Sequence, residues 1–165
     1  MAVRRLNHAV LYIRDVRRSV EFYSAVLGFG VAAEIPGRAA FLRAPDSLND
    51  HDLGLFALGG GAPAPSRGSV GLYHLAWEVG TLGELTAARE ELVRRDALVG
   101  QSDHGVSKSL YAQDPDGIEF EVMWRVPRED WPADGGAGVL PLDLQDALRR
   151  WGSGLATGAA AGSAT

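Results

Sequence analysis

The chain has 165 residues, 46% apolar and 22% charged, with a formal net charge of -5. That length allows one domain with a real core, and the acidic balance argues against a sequence-independent nucleic-acid binder, which needs a basic stripe to displace counterions. There is no cysteine, so disulfides, zinc-thiolate sites and thiol nucleophiles are excluded, and any metal must be held by nitrogen and oxygen.

The start, MAVRRLNHAV, has two arginines but no apolar core of a signal peptide. No run approaches the about 18 apolar residues of a membrane span. The expectation is a cytoplasmic protein without membrane or nucleic-acid partners. Residues 6–13, LNHAVLYI, alternate and are rich in β-formers, which predicts a strand with His8, Val10 and Tyr12 on one face. Asp15 is placed to cap a helix with Val16, Val20, Tyr23 and Leu27 at helical spacing, and Gly28 to end it. Short strands are expected at GVAAEI, RAAFLR and HDLGLFAL, before the Gly/Pro/Ser connector GGGAPAPSRGS at 59–69.

The plan then repeats. YHLAWEV, 73–79, is a second alternating strand, and TLGE, 81–84, has the spacing of a capping box before a stripe of Leu82, Leu85, Ala88 and Leu92. Strands near ALVG, SKSLYAQ and IEFEVMW follow. His8 and His74 lie 66 residues apart, as do Asp15 and Thr81, so the chain reads as two copies of strand, helix and three strands. Beyond them, VPREDWPADGGAG reads as a loop, 142–151 as a short amphipathic helix, and the last fourteen residues as a flexible tail.

Any single histidine on a half-buried strand is more often a packed core group than a ligand. Two histidines at equivalent points of a repeat are different, because pseudo-symmetry directs both imidazoles toward a shared centre. The period of two in GIEFEVMW puts Glu119, Glu121 and Met123 on one face, opposite Ile118, Phe120 and Val122. Two histidines with one carboxylate and open positions is the ligand set of non-heme Fe(II) oxygenases, leaving room for substrate and dioxygen.

These residues resemble the vicinal oxygen chelate superfamily, and within it the type I extradiol catechol dioxygenases. The resemblance covers residues 4–126 and implies an α+β fold of two βαβββ modules, 4–58 and 70–126, joined by the 59–69 linker into one open-barrel metal-binding domain. Residues 127–165 form a C-terminal extension. It implies His8, His74 and Glu121 as metal ligands, the last following the DPDG turn. His51, in the pair His51 and Asp52, matches the family's acid/base histidine. Tyr111, ten residues before Glu121, matches its substrate-orienting tyrosine, and His104 in HGVSKSLY its second-sphere histidine. The implied reaction is ring cleavage of a catechol-type substrate by O2 at Fe(II), with Mn(II) as the alternative metal.

The same fold hosts glyoxalase-like lyases, fosfomycin-type thiol transferases and metal-free antibiotic-binding proteins. Moving Glu121 back by one repeat lands on Leu55, and no Glu lies between Ile35 and Glu78, so the first module lacks the carboxylate of a four-ligand site. A binding protein would need no ligand triad, and a thiol transferase would need neither His51 nor Tyr111. A homo-oligomer is expected, since a small domain's sheet edges are commonly covered by a neighbour.

Overall fold

The structure, a computed structural model, describes residues 1–66, 68–133, 135–136 and 138–159. The chain forms two compact units, the first made of Met1–Gly68 with Asp114–Gly117, the second of Ser69–Gln113 with Ile118–Thr165.

The first unit runs β1 (Ala9–Ile13), α1 (Val16–Leu27), β2 (Gly30–Ile35), β3 (Ala39–Arg43) and β4 (Leu53–Ala57), in a sheet of order β1-β4-β3-β2. Only β1 and β4 are parallel, as the helical crossover between strands demands. The Asp15 carboxylate accepts from the Arg18 N–H at 2.8 Å, and Gly28 ends α1 in the left-handed region at φ 70°, where a side chain would be strained. The buried face of α1 is Val16, Ser19, Phe22, Tyr23 and Val26, rotated from the expected stripe, with Val20 and Leu27 half-buried. Phe22 supplies more apolar area than Val20, and the helix turns toward the larger group. Leu11, Ile13, Leu42, Leu53 and Leu55 complete this core. The turn Asp114–Gly117 belongs here: Arg14 donates from its backbone N–H and its guanidinium to Asp116 at 2.8 and 2.9 Å, and the Tyr23 hydroxyl donates to Asp114 at 3.0 Å.

The second unit repeats the order with β5 (Leu75–Glu78), α2 (Leu82–Arg94), β6 (Leu98–Asp103), β7 (Ser107–Gln113) and β8 (Glu119–Arg125), in a sheet of order β5-β8-β7-β6. The Thr81 and Glu84 capping box forms on both sides, at 3.2 and 2.8 Å. Leu82, Leu85, Ala88 and Leu92 are buried, with Leu110, Phe120, Val122 and Trp124 of the sheet also in the core.

After β8 come a 3₁₀ turn at Arg128–Asp130 and α3 (Leu144–Trp151), within the expected 142–151. Residues 152–159, expected as part of a tail, are tied to the second unit. Gly83 N–H donates to Ser153 O at 2.8 Å, Thr157 N–H to Gly80 O at 2.8 Å, Gly158 N–H to Arg125 O at 2.9 Å, and the Trp124 indole to Leu155 O at 3.1 Å. The small residues that read as flexible are those that let a strap lie close against backbone donors. Residues 160–165 of the expected tail lie outside the described residues. No helix among the described residues is long and apolar enough to cross a membrane.

Candidate metal and catalytic centre

The six residues singled out in the sequence fall into two groups, one in each unit. In the first, His8 immediately precedes β1 and His51 lies two residues before β4. Register pairs Ala9 with Leu53, and the two imidazoles lie with centroids 4.5 Å apart and planes tilted by 39°. Asn49 sets this juxtaposition: its amide donates to Asn7 O at 2.8 Å and to Asp52 at 2.7 Å, and its side-chain oxygen accepts from Arg5 at 2.6 Å and from Asn7 at 3.2 Å. Phe41 stands edge-on to His51 at 5.1 Å.

The proton positions of both rings follow from their partners. A carboxylate only accepts, so His51 Nδ1–H donates to Asp50 at 2.7 Å. His8 Nδ1 lies 2.8 Å from the Asn7 oxygen, whose amide nitrogen is turned to Asn49, so it too donates. In the neutral form of each ring Nε2 is then bare and able to take a metal. The hydrogen bond from His51 is the main reason that the Asp50 carboxyl lies below the usual carboxylate range. His51 and Asp52 are the motif pair in the sequence, and in the structure the ring bonds the aspartate on its other side, Asp50. Asp52 instead accepts from Ala44 N–H at 2.9 Å, Ser47 at 2.7 Å and Asn49. Burial opposes its ionisation, yet these bonds prevail and hold its carboxyl low.

The second unit collects the other four residues. Antiparallel pairing of β7 and β8 sets Tyr111 directly opposite Glu121, so both share one face, with Glu119 two residues along it. His74, immediately before β5, brings Nε2 to 3.2 Å from the Glu121 carboxylate and its ring to 5.8 Å from that of Tyr111. The Tyr111 hydroxyl lies 2.8 Å from His104 Nε2. Burial first, then the negative charge of Glu121, raise the Tyr111 phenol above its ordinary value, so it keeps its proton at neutral pH.

Two donors each about 2.1 Å from one ion at nearly a right angle stand about 3 Å apart, so the His74 and Glu121 pair has the spacing of adjacent ligands. Among the described residues His74 Nδ1 is buried without a hydrogen-bond partner, and the Glu121 carboxylate addresses the ring at Nε2. Imidazole nitrogen with a carboxylate oxygen suits Fe, Mn or Zn. Among the described residues no group of three His, Asp or Glu side chains is placed to share one ion. The residues missed in the sequence are Asn7, Asn49, Asp50 and Gly138. Only Asp50 left a signal, by flanking His51.

Comparison with known proteins bears on this arrangement. Residues 5–122 match the model of the Glyoxalase/Bleomycin resistance protein/Dioxygenase superfamily. A protein of Bacillus subtilis (strain 168) named catechol-2,3-dioxygenase is 36% identical over 132 residues, which are 78% of this chain and 44% of that protein. Biphenyl-2,3-diol 1,2-dioxygenase 3 of Rhodococcus globerulus is 37% identical over 123 residues, 72% of this chain and 62% of that one. The chain therefore spans about half the length of these curated relatives. Among solved structures, a glyoxylase/bleomycin resistance protein/dioxygenase domain from Frankia sp. EAN1pec superposes with a TM-score of 0.62 at 21% identity, covering 76% of this chain and all of the other.

Proposed function

The chain belongs to the glyoxalase/bleomycin resistance protein/dioxygenase superfamily, and within it we propose an Fe(II)-dependent extradiol dioxygenase that cleaves a catechol-type ring with O2. The observation that carries this reading is the grouping of His74, Glu121, Tyr111 and His104 on one face of the second unit. The names of the two relatives above 30% identity support it. In this reading residues 4–126 act as one metal-binding domain. His74 and Glu121 hold the iron with His8 as third ligand, and Mn(II) is the alternative metal. The β2 edge, exposed at all six residues, supports assembly as a homo-oligomer. Cytoplasmic location is part of the same proposal.

Bound Fe(II) would supply the redox connection through which electron density passes from diol to dioxygen. The protein's own groups handle position and protons. His51, its Nδ1–H fixed on Asp50, offers a bare Nε2 that accepts a hydroxyl proton of the catechol and returns it as the ring opens. Tyr111 orients the substrate oxygen beside Glu121, with His104 behind it.

Anaerobic loading with Fe(II), then addition of oxygen and a panel of substituted catechols, is expected to produce the yellow ring-fission product. Bound iron without turnover across the panel would move the protein to another branch of the superfamily, a glyoxalase-like lyase, a fosfomycin-type thiol transferase or an antibiotic-binding protein. His51→Ala is expected to keep iron and lose the rate by about 10²- to 10⁴-fold in stopped-flow assays. Loss of iron instead would make His51 a ligand.

A further inference from the structure

The C-terminal extension, which lies beyond the matched residues 5–122, sets a backbone carbonyl against a residue of the candidate centre. His104 Nδ1 lies 3.1 Å from the carbonyl oxygen of Gly138, while its Nε2 lies 2.8 Å from the Tyr111 hydroxyl. A carbonyl can only accept, so Nδ1 carries the proton. In the neutral ring Nε2 is then an obligate acceptor, and the Tyr111 O–H must donate to it. The single proton of that hydroxyl is thereby committed, and toward the face shared with Glu121 and His74 the oxygen presents lone pairs only.

The extension is seated firmly where it does this. Asp103 and Leu140 exchange both backbone hydrogen bonds, at 2.8 and 2.9 Å. Gly136 sits at φ 71°, and a Cβ there would stand 2.6 Å from the His104 carbonyl oxygen and 2.7 Å from a Val106 methyl. Only glycine fits, and with it the loop lies against the residue whose ring it orients.

We infer that the extension, by way of the Gly138 carbonyl, sets the polarity of Tyr111 through His104, so that Tyr111 acts as a hydrogen-bond acceptor and selects ligands presenting an O–H or N–H donor rather than an ether or bare carbonyl oxygen. His104 is a positioning residue in this scheme. The polarity assignment stands on the hydrogen-bond geometry alone, and only the choice of catechol as probe rests on the function proposed above.

The test is ¹⁵N NMR of the histidine rings in the full chain, purified with a chelator so that no paramagnetic ion broadens them. One His104 tautomer is expected at neutral pH, protonated at Nδ1 and bare at Nε2, with the Nε2 resonance moving in Tyr111→Phe. Gly136→Ala is expected to displace the loop and give a mixture of tautomers while Trp fluorescence stays native. A ring protonated at Nε2 in the wild type, whether as tautomer or imidazolium, overturns the assignment, as does a single unchanged tautomer in Gly136→Ala. If Gly136→Ala does not fold, Tyr111→Phe decides: an Nε2 resonance that does not move overturns the assignment. For ligand choice, calorimetry with the Fe(II)-loaded chain compares catechol with 2-methoxyphenol. A preference of about tenfold or more for catechol, lost in Tyr111→Phe, is expected. Equal binding of both in the wild type overturns the ligand class. Binding of neither overturns the catechol reading, while the tautomer result still decides the polarity.

Discussion

The two units are built to one plan and differ in what is laid against their sheets. In the first, α1 covers one face, while Val10 and Tyr12 of β1 remain 52% and 70% exposed and every residue of β2 is exposed. In the second, the chain after β8 adds α3 and a strap. Ser107–Leu110 of β7 are all buried, Lys108 being paired with Asp103 at 2.5 Å and lying 5.2 Å from the Trp151 ring. The candidate site residues follow the same division. His8 and His51 lie just ahead of strands, held by a network of Asn7, Asn49 and Asp50, and in the second unit His74 and His104 also lie outside strands, but Tyr111 and Glu121 project from paired strands and are locked by register. A repeated topology supplies equivalent positions, and the packing added afterwards decides how rigidly each is held.

The sharpest way to break this comparison is to ask whether both units contribute metal ligands. Glu121→Ala and His8→Ala are each expected to weaken iron binding by more than the about 100-fold typical of losing an outer-shell partner, measured as iron per chain after dialysis. If His8→Ala retains its iron, the second unit binds metal without the first.

Removing residues 152–165 tests the strap. Six hydrogen bonds join its described residues to Glu78, Gly80, Gly83, Trp124 and Arg125, and at about 1 kcal/mol each they predict a loss of about 6 kcal/mol in urea unfolding. Trp77, Trp124, Trp131 and Trp151 all lie in the second unit, so tryptophan fluorescence reports that unit alone. Hydrogen exchange at β3 and β4 should be unchanged, and a parallel loss of protection there would mean that the units do not behave separately.

The converse experiment is Tyr23→Phe, which removes a buried donor from Asp114 in the first unit. It is expected to cost about 1–3 kcal/mol, read from exchange at β3 and β4. Burial first, then the charge of Asp114, raise the Tyr23 phenol well above its ordinary value. The folded state therefore holds this proton more tightly than the unfolded one. The associated stability is complete below the unfolded value of about 10 and is lost as pH rises through the raised folded value. Tyr23→Phe should lose that alkaline step in pH-dependent unfolding. The smallest effect is expected from Thr81→Ala, which opens the capping box of α2 at about 1 kcal/mol and lowers the fluorescence-detected midpoint.

Much of the fold was legible because its signals are local. Asp15 and Thr81 each cap a helix by bonding a backbone N–H three residues on, and Gly28 ends one because glycine enters the left-handed region without strain. The alternation in IEFEVMW put Glu121 on the face opposite Phe120 and Val122, which β8 reproduces. Other features had no local signal. Asp50 and Asp52 are the same residue type on either side of His51, and only the positions of Ala44, Ser47 and Asn49 direct Asp52 away from the ring. The run GSGLATGA resembles a linker in composition, and its fixed place depends on the backbone N–H of Gly83 and the indole N–H of Trp124, far away in sequence.

The sequence by itself determined the two βαβββ repeats, because periodicity and capping are properties of neighbouring residues, and its resemblance to a known superfamily supplied the candidates His8, His51, His74, His104, Tyr111 and Glu121. Tertiary structure alone decided which nitrogen of His51 and His104 carries the proton, which aspartate stands beside His51, and that a glycine carbonyl of the extension addresses His104. Those outcomes depend on a second group brought up from 34 residues away, or turned aside by another bond, and the chain shows such partners only when it is folded.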